Sequence, residues 1–529
     1  MSRVAAAGAA ALVGLVVQVP AAATVAGDAS QTYIVVYGSA SQVDRAALTA
    51  GGNQILADLG AAGVMIVSSS DQAGLEALAG VTDVADDSLT LQVPDESADP
   101  AVGITGGGGF NCASTTKSCG LQWDLARIHV PDAWKTTQGS PSVKVAVLDT
   151  GLDSKHEEVG SNYDVADSKS FVQPSKGCPA DNKTFNSIED FNGHGTWTAT
   201  HVAGLNGPQM TGIAPNTTLV NVRVLGACGS GSFSGVFAGM FYANQIGASI
   251  VSMSLGGFVC AERVVPGSPY CSDPHAVKQG RALFRANSQL VDFMRDHGTV
   301  VIAAAGNNHA HMQQDGRMVG NQLGSRPPGF SPGNDFTGLF EVPGGAHNAV
   351  AVAALNRVTA AGGPGTTVFG QYGVGTRDQL TYYSNFGEKV AVSAPGGARN
   401  FNVPAFDCLT SNCARLGNSP KTVDNPGDFG AFGVGCVSCY AFIQGTSMAT
   451  PQVAGVAALA LAAHPGLTSD QLVKLLLRST TDFTDPNATP AIADDPASPQ
   501  FNYDVAYGTA GVSNHLMGSG VIDAALAVG

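Results

Sequence analysis

Val143-Lys-Val-Ala-Val-Leu-Asp149-Thr-Gly-Leu-Asp153 reads as an apolar strand that stops on a carboxylate and a glycine turn. A strand apolar on both faces needs cover on both sides, as the parallel sheets of α/β proteins have. In open α/β sheets, ligand sites form beyond the carboxyl ends of the strands, and Asp149 stands at such an end. Asp153 suits a turn cap. The same pattern recurs downstream at Leu219–Leu225, Ser249–Met253, Thr299–Ala303 and Ala349–Ala353. Helical patterns separate these runs, at Gly235–Ile246, Ala282–Asp296 and Ser447–Ala463. In the second of them Leu283, Phe284, Leu290, Val291 and Met294 fall close to one helical face. The alternation predicts an α/β fold, a parallel sheet flanked by helices. Two polar, Gly- and Pro-rich stretches, about 308–342 and 399–440, break the rhythm and read as surface insertions.

Three more motifs carry chemistry. Asn192-Gly-His194-Gly-Thr196 precedes an Ala/Val-rich helix. Its flanking glycines let another side chain approach the imidazole, the group best suited to proton transfer near neutral pH. Val301-Ile-Ala-Ala-Ala-Gly306-Asn307 is a strand ending in an amide that can face a developing oxyanion, an interaction worth about 3–4 kcal/mol of barrier. Gln444-Gly-Thr-Ser447-Met-Ala-Thr-Pro451 is the most specific. Proline is tolerated in the first turn of a helix, so this helix must begin near Ser447. That start puts a hydroxyl and its own backbone N–H at a positive helix end. Each motif has an ordinary reading alone: a strand-ending Asp caps turns, a Gly-Asn pair makes turns, and His194 could simply open a helix. Together they supply nucleophile, base, orienting acid and oxyanion donor: Ser447, His194, Asp149 and Asn307.

The bulk numbers fit a large, glycine-rich α/β protein, and the N-terminus reads as an export signal. The 529 residues are 44% hydrophobic and 13% charged, with 67 glycines, enough for a large core and many tight connections. A net charge of -15 argues against binding nucleic acid through phosphate neutralisation. Arg3 and the small apolar run Val4–Val19, followed by Ala21, Ala23 and Ala26, read as a signal peptide (1–26). That run is too short to span a bilayer, and no later segment reads as a membrane anchor. A small unit (27–97) opens with the strand run Thr32–Tyr37, then a helix candidate at Ala73–Leu78 and strands within Val81–Val93. A Gly/Pro/Ser-rich linker (98–118) with a processing region separates it from the large domain, 119–529. All 10 cysteines lie at or beyond Cys112, as an oxidising compartment would allow. Short loops favour Cys112–Cys119, Cys260–Cys271 and Cys408–Cys413, and Cys178 can reach Cys228. Cys436-Val-Ser-Cys439 lacks the second cysteine or histidine pair of a zinc site.

The order Asp, His, Ser separates this chain from α/β-hydrolases and from chymotrypsin-like enzymes, and is the subtilisin order. The large domain resembles the subtilisin-like serine peptidases (subtilases). The likeness rests on Asp149-Thr-Gly, His194-Gly-Thr, Gly212-Ile-Ala-Pro215, Ser254-Leu-Gly-Gly257, Ala305-Gly-Asn307, Ala394-Pro-Gly396 and Gly445-Thr-Ser-Met-Ala-Thr-Pro451. It implies a secreted, extracellular endopeptidase acting on protein or peptide substrates through an acyl-enzyme, and a monomer. By the same likeness Gly229, Ser230 and Gly231 on one side, and Ser254, Leu255 and Gly256 on the other, are the edges that pair with an extended substrate. Ala304, Ala305 and Gly306 would wall the pocket for the residue before the cleaved bond. The unit at 27–97 is similar to the family's α+β propeptides, which inhibit in cis and are then cut away, so the chain is expected to mature itself. No cofactor is required. The loop that often binds calcium is shortened around Leu205–Pro208, so calcium is possible but unsupported by the sequence and no metal ligand is assigned. Trp197 and Gln452 depart from the residues common in relatives without touching the proton path.

Overall fold

The computed structural model describes residues 30–93, 99–100, 122–205, 210–265, 271–308, 310–319, 336–358, 377–381, 383–397, 428–435, 437–482 and 517–529. The signal segment, nearly all of the linker and most of the 399–440 insertion therefore lie outside the described residues, as do Cys112, Cys119, Cys408 and Cys413.

The apolar runs form one sheet. Among the described residues it has ten strands, and its parallel centre runs Val390–Pro395, Val350–Val358, Val300–Ala304, Ile250–Met253, Lys144–Asp149 and Thr218–Arg223. Val145 pairs with Ile250 on one side and Leu219 on the other, and Asp149 closes its strand opposite Arg223. Alternate residues supply two cores, as two-sided burial requires. Val145, Val147, Ile250 and Ile302 join a cluster with Ala199, Val202, Val453 and Val456, from the helices His194–Ala203 and Thr446–Ala463. Ala146, Leu148, Val251 and Val301 join another with Phe237, Met240, Leu283 and Leu290, from the helices Phe233–Gln245 and Pro274–Asp296. Both helices that carry candidate reactive groups thus lie on one face of the sheet. The Thr446–Ala463 helix is long and apolar enough to cross a membrane, but it is the packed centre of this core, 83% buried.

The 274–296 helix starts well before the expected Ala282. Asp273 accepts the Ala276 N–H at 2.9 Å and Pro274 occupies the first turn, an N-cap and N1 pair that the apolar pattern alone does not reveal. A second departure lies in the expected insertion at 308–342, which is not peripheral throughout. Its last strand, Leu339–Val342, pairs antiparallel with Gly257–Cys260 and is buried at Leu339, Glu341 and Val342. Asp99–Pro100, within the expected linker, forms a short strand beside Ala441 and Phe442.

The N-terminal unit is a four-stranded antiparallel sheet in the order Gln54–Leu59, Val64–Ser69, Gln31–Tyr37, Val81–Asp86. Tyr33, Val35 and Tyr37 pack with Leu48 and Leu75 of its own short helices. Ile34, Val36 and Ile66 face the other way and enter the core of the large domain against its Phe233–Gln245 and Pro274–Asp296 helices. Polar contacts fix the docking: Asp83 pairs with Arg281 and Arg285, Lys278 with Glu76 at 2.6 Å, and Gln289 donates to Tyr37 O at 2.9 Å. Cys178–Cys228 and Cys260–Cys271 are bonded, as short spacing suggested for the second, and Cys439 is also held in a disulfide.

Candidate active site

Asp149 ends its strand with a buried carboxylate that receives three donors. Thr150 N–H donates to Oδ1 at 2.7 Å, Thr198 O–H to Oδ2 at 3.0 Å, and His194 Nδ1 lies 2.8 Å from Oδ1. A carboxylate so placed fixes both the orientation and the tautomer of the imidazole, leaving Nε2 as the basic nitrogen. His194 is the first residue of its helix, and the loop before it is held by another buried acid. Asp190 accepts from Asn192 N–H, Gly193 N–H and Thr150 O–H, each at 2.9 Å, and from Thr196 N–H at 2.8 Å and Thr196 O–H at 2.7 Å. The two flanking glycines have separate reasons. Gly193 adopts φ +101°, and a Cβ on Gly195 would lie 2.2 Å from Gly151 O.

Ser447 is the second residue of its helix, which packs against the His194 helix. Pro451 is the sixth residue, one turn deeper than the expected placement. Having no N–H, it cannot bond the carbonyl of Ser447 four residues back. Ser254 O–H supplies the missing donor, reaching Ser447 O at 2.8 Å, and Ser447 O–H in turn donates to Ser254 O at 3.2 Å. Two chain segments are thereby locked together at the candidate nucleophile. Asn307 is fixed by the residue next to it: its Oδ1 accepts from Thr446 N–H at 2.9 Å and Thr446 O–H at 2.7 Å. That leaves the amide NH2 as the end turned away from Thr446, beside the first turn of the helix, where backbone N–H groups have no intrahelical acceptor. The sequence-derived set is therefore assembled in two hydrogen-bonded halves, Asp149 with His194 and Ser447 with Ser254, with Asn307 tied to the second.

The expected substrate edges also have an occupant. Thr90-Leu91-Gln92 of the N-terminal unit pairs antiparallel with Ser230–Ser232, in the register Ser230↔Gln92 and Gly231↔Leu91. On its other side Gln92 exchanges both backbone hydrogen bonds with Gly256 at 3.0 Å, and Val93 N–H donates to Gly229 O at 2.8 Å. A strand of the chain's own N-terminal unit is thus inserted between Gly229–Ser232 and Ser254–Gly256. The Cys178–Cys228 disulfide staples the first edge one residue before Gly229.

Several residues that shape this region carried no clear sequence signal. Thr198 bonds Asp149, Thr446 bonds Asn307 and Asp190 holds the loop before His194; nearness in sequence to His194 and Ser447 is the one signal that could have found them. His201 is buried and stacked on Trp197, with ring centroids 3.6 Å apart, and burial pushes its pKa down to about 3. It is a neutral core group. Gln452 donates to Pro395 O at 2.8 Å. Glu158 near the shortened loop accepts from Tyr440 O–H at 2.7 Å and Met210 N–H at 3.2 Å, so its carboxylate is already engaged. Among the described residues no group of three or more His, Cys, Asp and Glu side chains could hold a metal ion.

The model of the subtilase family matches residues 140–509. Thermitase of Thermoactinomyces vulgaris is 27% identical over 348 residues, which is 64% of this chain and 81% of thermitase. Subtilisin Savinase of Lederbergia lenta is 28% identical over 368 residues, 69% of this chain and 94% of that protein. The thermophilic serine proteinase of Bacillus sp. (strain AK1) is 28% identical over 363 residues, 66% of this chain and 60% of its own length. Among solved structures, the epidermin leader peptide processing serine protease (EpiP) from Staphylococcus aureus superposes with a TM-score of 0.63 at 18% identity. That superposition covers 94% of this chain and 98% of the other, a likeness of fold. With a family match over most of its length and that fold, the chain belongs to the subtilase family of subtilisin-like serine peptidases.

Proposed function

We propose that this chain is an exported, self-maturing serine endopeptidase whose nucleophile is Ser447, base His194, orienting acid Asp149 and oxyanion donor Asn307. The observation that carries the assignment is the buried Asp149–His194 bond at 2.8 Å, set beside a helix start that holds Ser447 next to Asn307. In the reaction the Ser447 hydroxyl turns from Ser254 O, a long and therefore weak bond at 3.2 Å, and gives its proton to His194 Nε2. Its oxygen attacks the peptide carbonyl. Negative charge on that oxygen meets the Ser447 N–H and the Asn307 NH2, and the imidazolium beside Asp149 is stabilised as it forms. His194 then returns the proton to the leaving amine, and water, activated by the same imidazole, releases the acyl group.

The N-terminal unit acts as an internal inhibitor in this reading. Main-chain pairing of Leu91 and Gln92 with both edges is the way an extended substrate would bind. Asp149, His194 and Ser447 are all buried in the docked form, so substrate entry requires that strand to leave. The Ser447→Ala variant is expected to lose casein cleavage and covalent labelling by a fluorophosphonate, and to accumulate as precursor. Labelling that persisted on this variant would remove Ser447 from its role.

A further inference from the structure

Glu341 was not among the residues singled out from the sequence. It lies in the strand Leu339–Val342, opposite Phe258. Its carboxylate takes the Gly257 N–H and reaches towards two glycines on the expected walls of the substrate pocket. A Cβ on Gly256 would stand 2.3 Å from Glu341 Oε1, and a Cβ on Gly306 would stand 3.2 Å from Oε2. The carboxylate therefore spans the gap between the two segments, facing each where no side chain stands. The residue is 1% exposed, and Oε2 has no hydrogen-bond partner among the described residues. The nearby Asn385 NH2 donates elsewhere, to Ala305 O at 2.7 Å.

A buried carboxylate short of a donor is a costly arrangement, and burial pushes Glu341 well above the usual carboxylate range. An incoming cation with several N–H donors would complete it. The register identifies which substrate residue could bring one. Gln92 pairs with Gly256, so an occupant continuing antiparallel for two more residues lies opposite Ser254, which is bonded to Ser447. The residue there supplies the carbonyl under attack, and its side chain enters between 254–256 and 304–306. Lys and Arg are the side chains that bring a positive charge and several N–H donors at the tip of a long stem.

We propose that Glu341 forms the floor of the pocket for the residue before the cleaved bond and selects peptides with Lys or Arg at that position. This rests on the reading of Ser447 as nucleophile. The chain's own sequence fits it. The inserted strand is followed by Pro94-Asp95-Glu96, which offers the carboxylate no cation, and the one Lys or Arg between Arg45 and Arg127 is Lys117, inside the expected processing region.

The test uses the secreted, matured enzyme and peptides that differ only at the residue before the cleaved bond: Arg, Lys, norleucine and Glu. Wild type should prefer Arg and Lys over norleucine by roughly 100-fold in kcat/KM, and Glu341→Gln should reduce that preference to below about tenfold by slowing the basic substrates. Fluorophosphonate labelling of Ser447 should persist in both. Competition between a peptidyl argininal and the matching norleucinal gives the same ratio on wild type, so the result does not depend on the variant folding. Equal use of Arg and norleucine, or a preference that survives Glu341→Gln, overturns the proposal and leaves the peptidase reading intact. Loss of labelling and of all cleavage in wild type overturns both.

Discussion

Asp149 and Glu341 are both buried carboxylates beside the substrate cleft, yet their surroundings are opposite. Asp149 has three donors, from Thr150, Thr198 and His194, at 2.7 to 3.0 Å. Glu341 has one N–H on its carboxylate and an oxygen left over. Both side chains are buried, so the number of donors decides what each group can do. A saturated carboxylate is a fixed charge that holds something else in place. An unsaturated one is disposed to receive a ligand that brings the missing donor. In the proposed reading the same residue chemistry therefore gives a positioning group at Asp149 and a selecting group at Glu341.

The largest test of this contrast is Asp149→Asn. The amide keeps the shape but loses the charge, and it favours the wrong imidazole tautomer. We expect kcat to fall by about 10⁴ with KM nearly unchanged and the fold intact. The same exchange at Glu341 should change substrate choice instead. If Asp149→Asn altered substrate preference and left kcat within tenfold, the two carboxylates would not differ in the way their donors suggest.

Asp87 is an intermediate case, at a surface that the proposed maturation would open. It accepts from Ser234 N–H at 3.0 Å and Ser234 O–H, so the N-terminal unit caps the Phe233–Gln245 helix of the large domain. Burial outweighs these bonds and raises its pKa from 3.8 to about 6. Once the unit leaves, the group returns towards 3.8. The docked form therefore holds more protons between those values, and its stability from this source is full below 3.8 and lost as pH rises to about 6. The ceiling is about 100-fold in the dissociation constant. Release of a separately made N-terminal unit from the Ser447→Ala large domain, followed by fluorescence at a series of pH values, should be faster at pH 7 than at pH 4.5. Asp87→Asn should flatten that dependence. A wild-type profile that is flat, or of opposite sign, would show that docking does not sense this proton.

Much of this was legible before folding was considered, and the reason is local. Val143–Asp149 declares its strand by two-sided apolarity, and Gly445–Pro451 declares a helix start by its proline. Both signals are contained in a few consecutive residues. Glu341 had no such signal: one acid in a polar, glycine-rich stretch acquires its meaning only when Leu339–Val342 pairs with Gly257–Cys260 and sets it behind Gly256 and Gly306. Ser254 is similar, since its hydroxyl matters because Pro451, far along the chain, lacks an N–H. Asp190 lies close to His194, yet its five hydrogen bonds gather its own loop, Thr196 of the following helix and the distant Thr150. Roles that depend on which donors reach a buried group are properties of the tertiary structure, and the alternation of apolar residues does not carry them.

The smallest expected effect probes the donor count of Asp149 itself. Thr198→Val keeps the size of a buried side chain and removes only the hydroxyl that reaches Oδ2 at 3.0 Å. Thr198 O–H also lies 3.1 Å from Gly195 O, within its own helix, so its removal leaves that carbonyl little worse off. One of three donors to the carboxylate is lost, and the imidazole is held a little less firmly. We expect kcat to drop by roughly tenfold at most, with KM and the Arg-over-norleucine preference unchanged. A purely structural contribution would instead lower the melting temperature and leave kcat where it was. If Thr198→Val proved as damaging as Asp149→Asn, the three donors would be acting as one unit, and saturation would be a stricter requirement than the individual bonds suggest.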